Sequence, residues 1–315
     1  VNKFWVIRYD PTTKEYVPFE HGEPVDAREV WRLPLPINGK PPIGIPVYFC
    51  KGAHQFQDPF CIAPNGDIYV TTYCAPEHFP ELEKAGLPKP VKLGTYIHLL
   101  RVYEPDGKLK ASCVVPGLGI SDGLRVGRSG SIYVVQGFKP LEQQLPEGLA
   151  AGSEYEESRW GSLIKFRANF DEFPAGRIVG LWEDAPADDA THRVHKWKVR
   201  LDGALWSYGG VAPLSTSYSS CTCLKASFGF DDYERCFVPA AQTCTVNVID
   251  SNGNVIARLG GYGNLDGLVL EKELGFNLPR SVAVTDDAMW VHDIGNRIIV
   301  RAALGYHAEE TVAPP

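Results

Sequence analysis

The chain has 315 residues, 44% of them apolar and 22% charged, enough to bury a sizeable core and unlike a disordered tail or a collagen-like fibre. Its 31 Gly, 25 Pro, 14 Tyr, 14 Phe and 7 Trp against a single Met favour short strands joined by tight turns over long helices. A formal net charge of −7 supplies no basic field for nucleic acid or an anionic membrane, and no apolar run reaches the roughly 18–20 residues of a membrane span.

In chain order, residues 4–9 (FWVIRY), a turn at 10–14 and residues 15–19 (EYVPF) read as a hairpin. It is expected to complete the last sheet of the chain and so close the fold with strands from both ends. Residues 60–73 (FCIAPNGDIYVTTY) then alternate about a Gly/Asp turn, as a β-hairpin does. The same pattern returns at 123–138, 199–209, 223–238 and 281–293, with Tyr69, Tyr133, Trp206, Phe237 and Trp290 heading the second run of each. Second hairpins are expected at 97–115 (turn at 104–107), at 163–181 and at 246–259, where Asn252-Gly253 supplies the positive φ angles of a tight turn. Residues 296–304 start a last outer strand. The insertions 75–95, 139–161 and 183–195 are long enough for function, and the first two for a short helix.

Two hairpins in succession make a four-stranded meander, and a meander repeated at irregular intervals is the unit of an all-β β-propeller. Six blades are expected in a single domain, residues 1–315, with the sixth assembled from the N-terminal 50 residues. Residues 290–300 (WVHDIGNRIIV), and residues 228–250 with the GNV and GGYGN that follow, resemble the NHL-repeat pattern, which specifies a fold well and a function poorly. In that pattern Asp293, Asn296 and Arg297 read as turn builders: the carboxylate accepts backbone N–H groups and the Asn takes the left-handed conformation.

Eight cysteines (Cys50, Cys61, Cys74, Cys113, Cys221, Cys223, Cys236, Cys244) are an even set, read as disulfides in an exported chain; buried thiols and a zinc site are the alternatives. Cys61 has two candidate partners, Cys50 and Cys74. Cys221, Cys223 and Cys236 are expected on one face of a hairpin, near Cys244. The start at Val1, without Met, is expected for a processed chain or a portion of a longer one, and the location for a secreted, periplasmic or cell-surface protein.

Nucleophile elbows, a Walker A loop, a dinucleotide fingerprint and HExxH are all missing from the sequence, and residues 260–264 read as a connection between sheets. His192-x-x-His195 has a metal-like spacing within an acidic stretch. At a propeller channel, His54, Asp58, Asp122, His195, Asn277 and His292 are the polar candidates, with Ca²⁺ suited to oxygen donors and Zn²⁺ to imidazoles. Tyr208, Tyr218 and Tyr262 are candidate binding aromatics. The leading expectation is a non-catalytic exported module that holds a protein, a glycan or a neighbouring copy. The alternative is a metal-dependent hydrolase or lyase: the resemblance extends to lactonases and the amidating lyase, which hold Ca²⁺ or Zn²⁺ at the channel mouth.

Overall fold

The computed structural model describes residues 2–25, 42–49, 60–84, 98–118, 123–143, 160–167, 176–180, 189–194, 197–214, 226–264 and 274–305. They fall into two compact units, Val1–Ala226 and Ser227–Pro315. The chain is mostly β, with 26 strands against one 3₁₀ turn and one short α-helix among the described residues.

The first unit opens with β1 (Asn2–Val6), β2 (Arg8–Asp10), β3 (Glu15–Val17), β4 (Glu23–Pro24) and β5 (Ile43–Phe49). The β2–β3 hairpin forms as expected, and Asp10 Oδ1 accepts the Thr12 N–H across its turn. The partner of β1 is β5, which carries β4 on its other edge. Strands β1, β5 and β4 therefore form a sheet of their own, and the partner that β26 (Ile298–Ala303) takes is β25 (Ala288–Asp293). Ile45 and Val47 of β5 pack on Ile68, Val70 and Tyr103 of the next sheet.

That next sheet is the meander β6 (Phe60–Ile62), β7 (Ile68–Tyr73), β8 (His98–Tyr103) and β9 (Leu109–Ala111), in this order. Every residue of β7 is buried, as a strand covered on both faces requires. Between β7 and β8 lies the expected helical insertion, a 3₁₀ turn Pro76–His78 and α1 (Phe79–Lys84). The 104–107 turn docks on the N-terminal segment: the His21 N–H donates to Asp106 O, and Arg8 donates to both Pro105 O and Pro18 O. A Cβ on Gly107 would lie 2.2 Å from His21 O, and its φ of +93° is left-handed, so this turn requires glycine.

The rest of the first unit departs from the hairpin reading. Its strands are β10 (Gly123–Val126), β11 (Ile132–Gln136), β12 (Lys139–Pro140), β13 (Gly161–Phe166), β14 (Arg177–Val179), β15 (His192–Val194), β16 (Trp197–Asp202) and β17 (Ala204–Val211). They form two sheets, β10-β11-β13-β17 and β12-β15-β16-β14. The expected 163–181 hairpin does not form: β13 has β11 and β17 on its edges, and β14 pairs with β16. Nor do β16 and β17 pair within 199–209. Only Gly203, at φ +74°, separates them, and the chain changes sheet there. Alternation continues through such a corner because both strands bury one face, so periodicity cannot reveal the change of sheet. Val134 and Ile164 of one sheet pack against Ile178, Val194 and Val199 of the other in one apolar cluster.

The second unit holds the meander β18 (Gly229–Phe230), β19 (Cys236–Ala240), β20 (Thr245–Ile249) and β21 (Val255–Leu259). Its 250–253 turn forms where Asn-Gly stands, with Gly253 at φ +93° and Asp250 Oδ1 accepting from Asn252 and Asn254. Residues 260–264 include β22 (Gly261–Tyr262), paired in parallel with β23 (Gly275–Phe276). The sheet β24 (Pro279–Val284), β25, β26 completes the unit.

Asp293 and Asn296, both buried, hold this last sheet to its neighbouring loops. The carboxylate accepts the backbone N–H groups of Asn277, Leu278, Gly295 and Asn296, and Asn296 Nδ2 donates to Asp293 Oδ2 and Gly263 O. One detail corrects the sequence reading: the left-handed residue is Arg297, at φ +59°, and not Asn296, whose side chain is occupied in the turn.

The disulfide expectation is also corrected. None of Cys61, Cys74, Cys113, Cys236 and Cys244 is in a disulfide. Cys61 stands opposite Tyr69, five residues from Cys74 along the strand direction, roughly 16 Å by strand rise against the 4.4–6.8 Å between the Cα atoms of a disulfide. Cys236 faces Ile249, whereas Cys244 precedes the far end of the same ladder. Cys74 and Cys113 share an apolar cluster with Leu82 and Leu99, where burial pushes both thiols up to about 12 and keeps them protonated. Cys50, Cys221 and Cys223 lie outside the described residues.

Two substitutions test this architecture. Asp293→Ala leaves four backbone donors without their acceptor and is expected to lower stability by about 3–5 kcal/mol in denaturant titration; a loss under about 1 kcal/mol would contradict the tethering role. Gly107→Ala, strained and clashing, is expected to cost more than about 1 kcal/mol, read as a lowered midpoint at unchanged slope.

Candidate functional site

The corner at Gly203 brings two sheets together over a polar pair. His192 leads β15 and Ser207 lies mid-strand on β17, facing Ile164 of β13. His192 Nε2 lies 3.0 Å from Ser207 Oγ, and Nδ1 lies 2.9 Å from Thr191 Oγ1. Burial pushes the imidazole down to about 4, so it is neutral at neutral pH. With the proton on Nδ1 and donated to Thr191, Nε2 is free to accept the serine proton. Ser207 is half-buried, and Gly209 lies two residues on, on the same side of the strand. A Cβ at Gly209 would meet Gln143 Oε1 at 1.7 Å, so the Gln143 carboxamide rests on that glycine, beside Pro140.

A second polar cluster lies between β5, β8 and the 76–84 insertion. His78 is 3% exposed, its Nδ1 accepts the Ala75 N–H at 3.0 Å, and the Tyr48 ring meets its ring edge-on at 4.8 Å. Burial, then the charge of Arg101, push this imidazole down to about 4, with Glu77 opposing. Arg101 Nη2 donates to both Glu81 oxygens at 2.8 and 3.1 Å, and its guanidinium lies over the Tyr103 ring. At the rim Lys3 pairs with Glu23 at 3.0 Å, a contact that raises the lysine above its ordinary range.

A third group is exposed. Glu20, His21 and Asp106 place three ligand atoms within 4.8 Å of one another, with His21 Nε2 at 3.6 Å from Asp106 Oδ2. It is the one such group among the described residues.

Of the residues singled out from the sequence, His192, Tyr208, Tyr262, Asn277 and His292 lie among the described ones. Tyr208 is half-buried on β17, on the face opposite Ser207; Tyr262 is exposed on β22 in the other unit; Tyr218 lies outside the described residues. His54, Asp58, Asp122 and His195 lie outside them too. His292 is exposed on β25, and Asn277 gives its N–H to Asp293. His192 drew attention for its spacing from His195, but its partner is Ser207, 15 residues on in a different sheet. Arg101 and His78 passed unnoticed; a charged residue inside an apolar strand and a His behind Pro-Glu were the available signals.

No family model matches the sequence, and no curated protein matches it. Solved structures similar to the chain include the PQQ-bound aldose sugar dehydrogenase of Streptomyces coelicolor, with TM-score 0.41, 13% identity, and 85% of this chain and 68% of that one covered. A putative gluconolactonase follows at TM-score 0.35 and 11% identity, covering 78% and 57%, and the calcium-binding protein regucalcin of Agrobacterium tumefaciens at 0.32 and 12%, covering 74% and 51%. The chain thus spans between half and three fifths of the length of the latter two.

Both neutral imidazoles make stability depend on acid. In the unfolded chain each titrates near 6.5 and in the folded chain near 4, so between these values the unfolded state binds more protons and stability falls as pH falls. The loss is roughly 3 kcal/mol per imidazole, complete below about pH 4. His192→Gln is expected to flatten the slope of unfolding free energy between pH 6.5 and 4 by about half; an unchanged slope would show that His192 is not buried in the neutral form.

Proposed function

We propose that the chain is a hydrolase of carboxylic esters on a six-bladed propeller framework, with Ser207 as nucleophile and His192 as its base. The blade count is supported by the six sheets of three or four strands, one of them from residues 1–49. The activity is carried by one observation, the 3.0 Å contact between His192 Nε2 and Ser207 Oγ with Thr191 on the other ring nitrogen. It favours catalysis over the non-catalytic module.

The steps follow from those atoms. His192 Nε2 takes the Ser207 proton as Oγ attacks the carbonyl carbon, and the Thr191 hydroxyl beside Nδ1 is able to accept the ring's other proton. Negative charge gathers on the carbonyl oxygen as the tetrahedral intermediate forms. The imidazolium returns its proton to the departing alkoxide, leaving an acyl-serine. Water, deprotonated by the same nitrogen, attacks the acyl carbon and releases the acid with Ser207 restored.

A second reading, metal-assisted hydrolysis or elimination, is favoured by the Glu20–His21–Asp106 group. One imidazole and two carboxylates suit a divalent transition ion, which would polarise a carbonyl or lower the pKa of a bound water. Tight metal uptake lost in His21→Ala, with hydrolysis abolished by chelation, would decide for it.

Hydrolysis of p-nitrophenyl acetate and labelling by a fluorophosphonate test the main reading together. Ser207→Ala is expected to abolish both, and His192→Gln to lower kcat by about 10²–10⁴-fold. Because only the neutral imidazole accepts the proton, kcat/KM of the wild type should fall with acid near pH 4 and not near 6.5. Labelling elsewhere than Ser207, or none in a folded protein, would remove the assignment and leave the pair as a tie between sheets.

A further inference from the structure

Three Asn-Gly dipeptides occur in the sequence, at 38–39, 65–66 and 252–253, and the first lies outside the described residues. The other two sit in turns of one geometry. Between β6 and β7 the Ala63 N–H donates to Asp67 O and the Gly66 N–H to Ala63 O, both at 2.8 Å, with Gly66 at φ +88°. Between β20 and β21 the Asp250 N–H donates to Asn254 O at 2.9 Å and the Gly253 N–H to Asp250 O at 3.1 Å, with Gly253 at φ +93°. Asn65 and Asn252 therefore occupy the same turn position, and both are exposed.

The two carboxamides differ in what they hold. Asn65 Nδ2 donates to Asp67 Oδ2 at 2.9 Å, and Asn65 Oδ1 accepts the Asp67 N–H at 3.1 Å. Asp67 is itself buried and paired with Lys110 at 2.6 Å, so Asn65 is clamped to a fixed neighbour. In the second turn the Asp250 carboxylate does this work instead. Its Oδ1 accepts the N–H groups of Asn252 and Asn254, and its Oδ2 accepts from Asn254 Nδ2. The Asn252 carboxamide is left without a hydrogen bond among the described residues.

We propose that Asn252 is a site of spontaneous deamidation, converting to aspartate and isoaspartate in the folded chain while Asn65 resists. The Gly253 nitrogen attacks Asn252 Cγ, a ring closure between atoms already joined by a short covalent path. The N–Cγ bond forms, the carboxamide C–N bond breaks, and ammonia leaves with the proton from Gly253. Water then opens the succinimide: addition at the side-chain carbonyl gives aspartate, and addition at the main-chain carbonyl gives isoaspartate. Glycine favours the attack because no Cβ shields its nitrogen. Release of the glycine N–H from its turn is needed at both sites and does not distinguish them. A carboxamide tied at both oxygen and nitrogen must also give up two hydrogen bonds before it can rotate onto that nitrogen, and this holds Asn65 back. Isoaspartate at 252 inserts a methylene into the main chain of the turn that Asp250 holds together. The site is independent of Ser207 and His192 and of the esterase reading.

The test is peptide mapping by mass spectrometry of the full chain aged at neutral pH and physiological temperature, with the same chain aged in urea as reference. Isoaspartate is scored separately by methyl transfer from labelled S-adenosylmethionine with an isoaspartate methyltransferase. In the folded chain Asn252 is expected to convert at least about tenfold faster than Asn65, and in urea the two are expected to convert at similar rates. Asn252→Gln, which would have to close a larger ring, is expected to remove the methyl-accepting site from the β20–β21 peptide and to leave Asn65 unchanged. Asn65 converting as fast as Asn252 in the folded chain would overturn the proposal, as would an Asn252 that stays intact while its urea reference converts.

Discussion

The two edges of β13 set the plan of the first unit. This strand is buried along its whole length, so its backbone groups have no water to turn to and must be paired on both sides. The preceding strand of its own sheet, β11, takes one edge; the other waits for β17, which comes only after three strands of another sheet. The chain therefore makes an excursion and returns at Gly203. Any sequence that completes β13 by so late a strand must stack the excursion against the sheet it left, and the shared apolar cluster of Ile164, Val134, Val194 and Val199 is the result.

Such stacking normally seals apolar faces. Here it also encloses His192 with Ser207, and the first two sheets enclose His78 with Arg101 in the same manner. Both pairs lie where one sheet meets the next, and in both the imidazole is forced neutral by lost solvation. A neutral imidazole in a dry interface keeps both ring nitrogens for hydrogen bonds, at the cost of a lowered basicity. The Arg101–Glu81 pair has the same character, since a guanidinium so little exposed is held by its partner's geometry more than it is rewarded for being there.

Much of the fold was legible because hairpins write themselves locally. Asn252-Gly253 and the Asp250 carboxylate describe one turn within four residues, and the alternation of 60–73 and 281–293 names both strands of a pair at once. Asp293 was legible for the same reason, its work being done on its own turn and the loop just before its sheet. Connections that skip a sheet were not legible: residues 199–209 alternate identically whether β16 and β17 pair or part at Gly203. The site suffered most from this. The spacing of His192 and His195 along one segment says nothing of Ser207, which lies across a face, and Arg101 between Leu100 and Val102 has the pattern of an outward residue until the 76–84 insertion folds over it.

The clasp between the N-terminal segment and the 104–107 turn has a consequence for synthesis. Arg8 reaches Pro105 across 97 residues, and Gly107 adds the last cover to Phe19, beside Val6, Ile45 and Tyr103. At ribosomal speed the residues between them take on the order of ten seconds to appear. During that interval Phe19 has no cover from its final neighbour and the ordering entropy of a long loop is still to be met. A chain that ends before residue 107 therefore lacks the turn that completes the clasp.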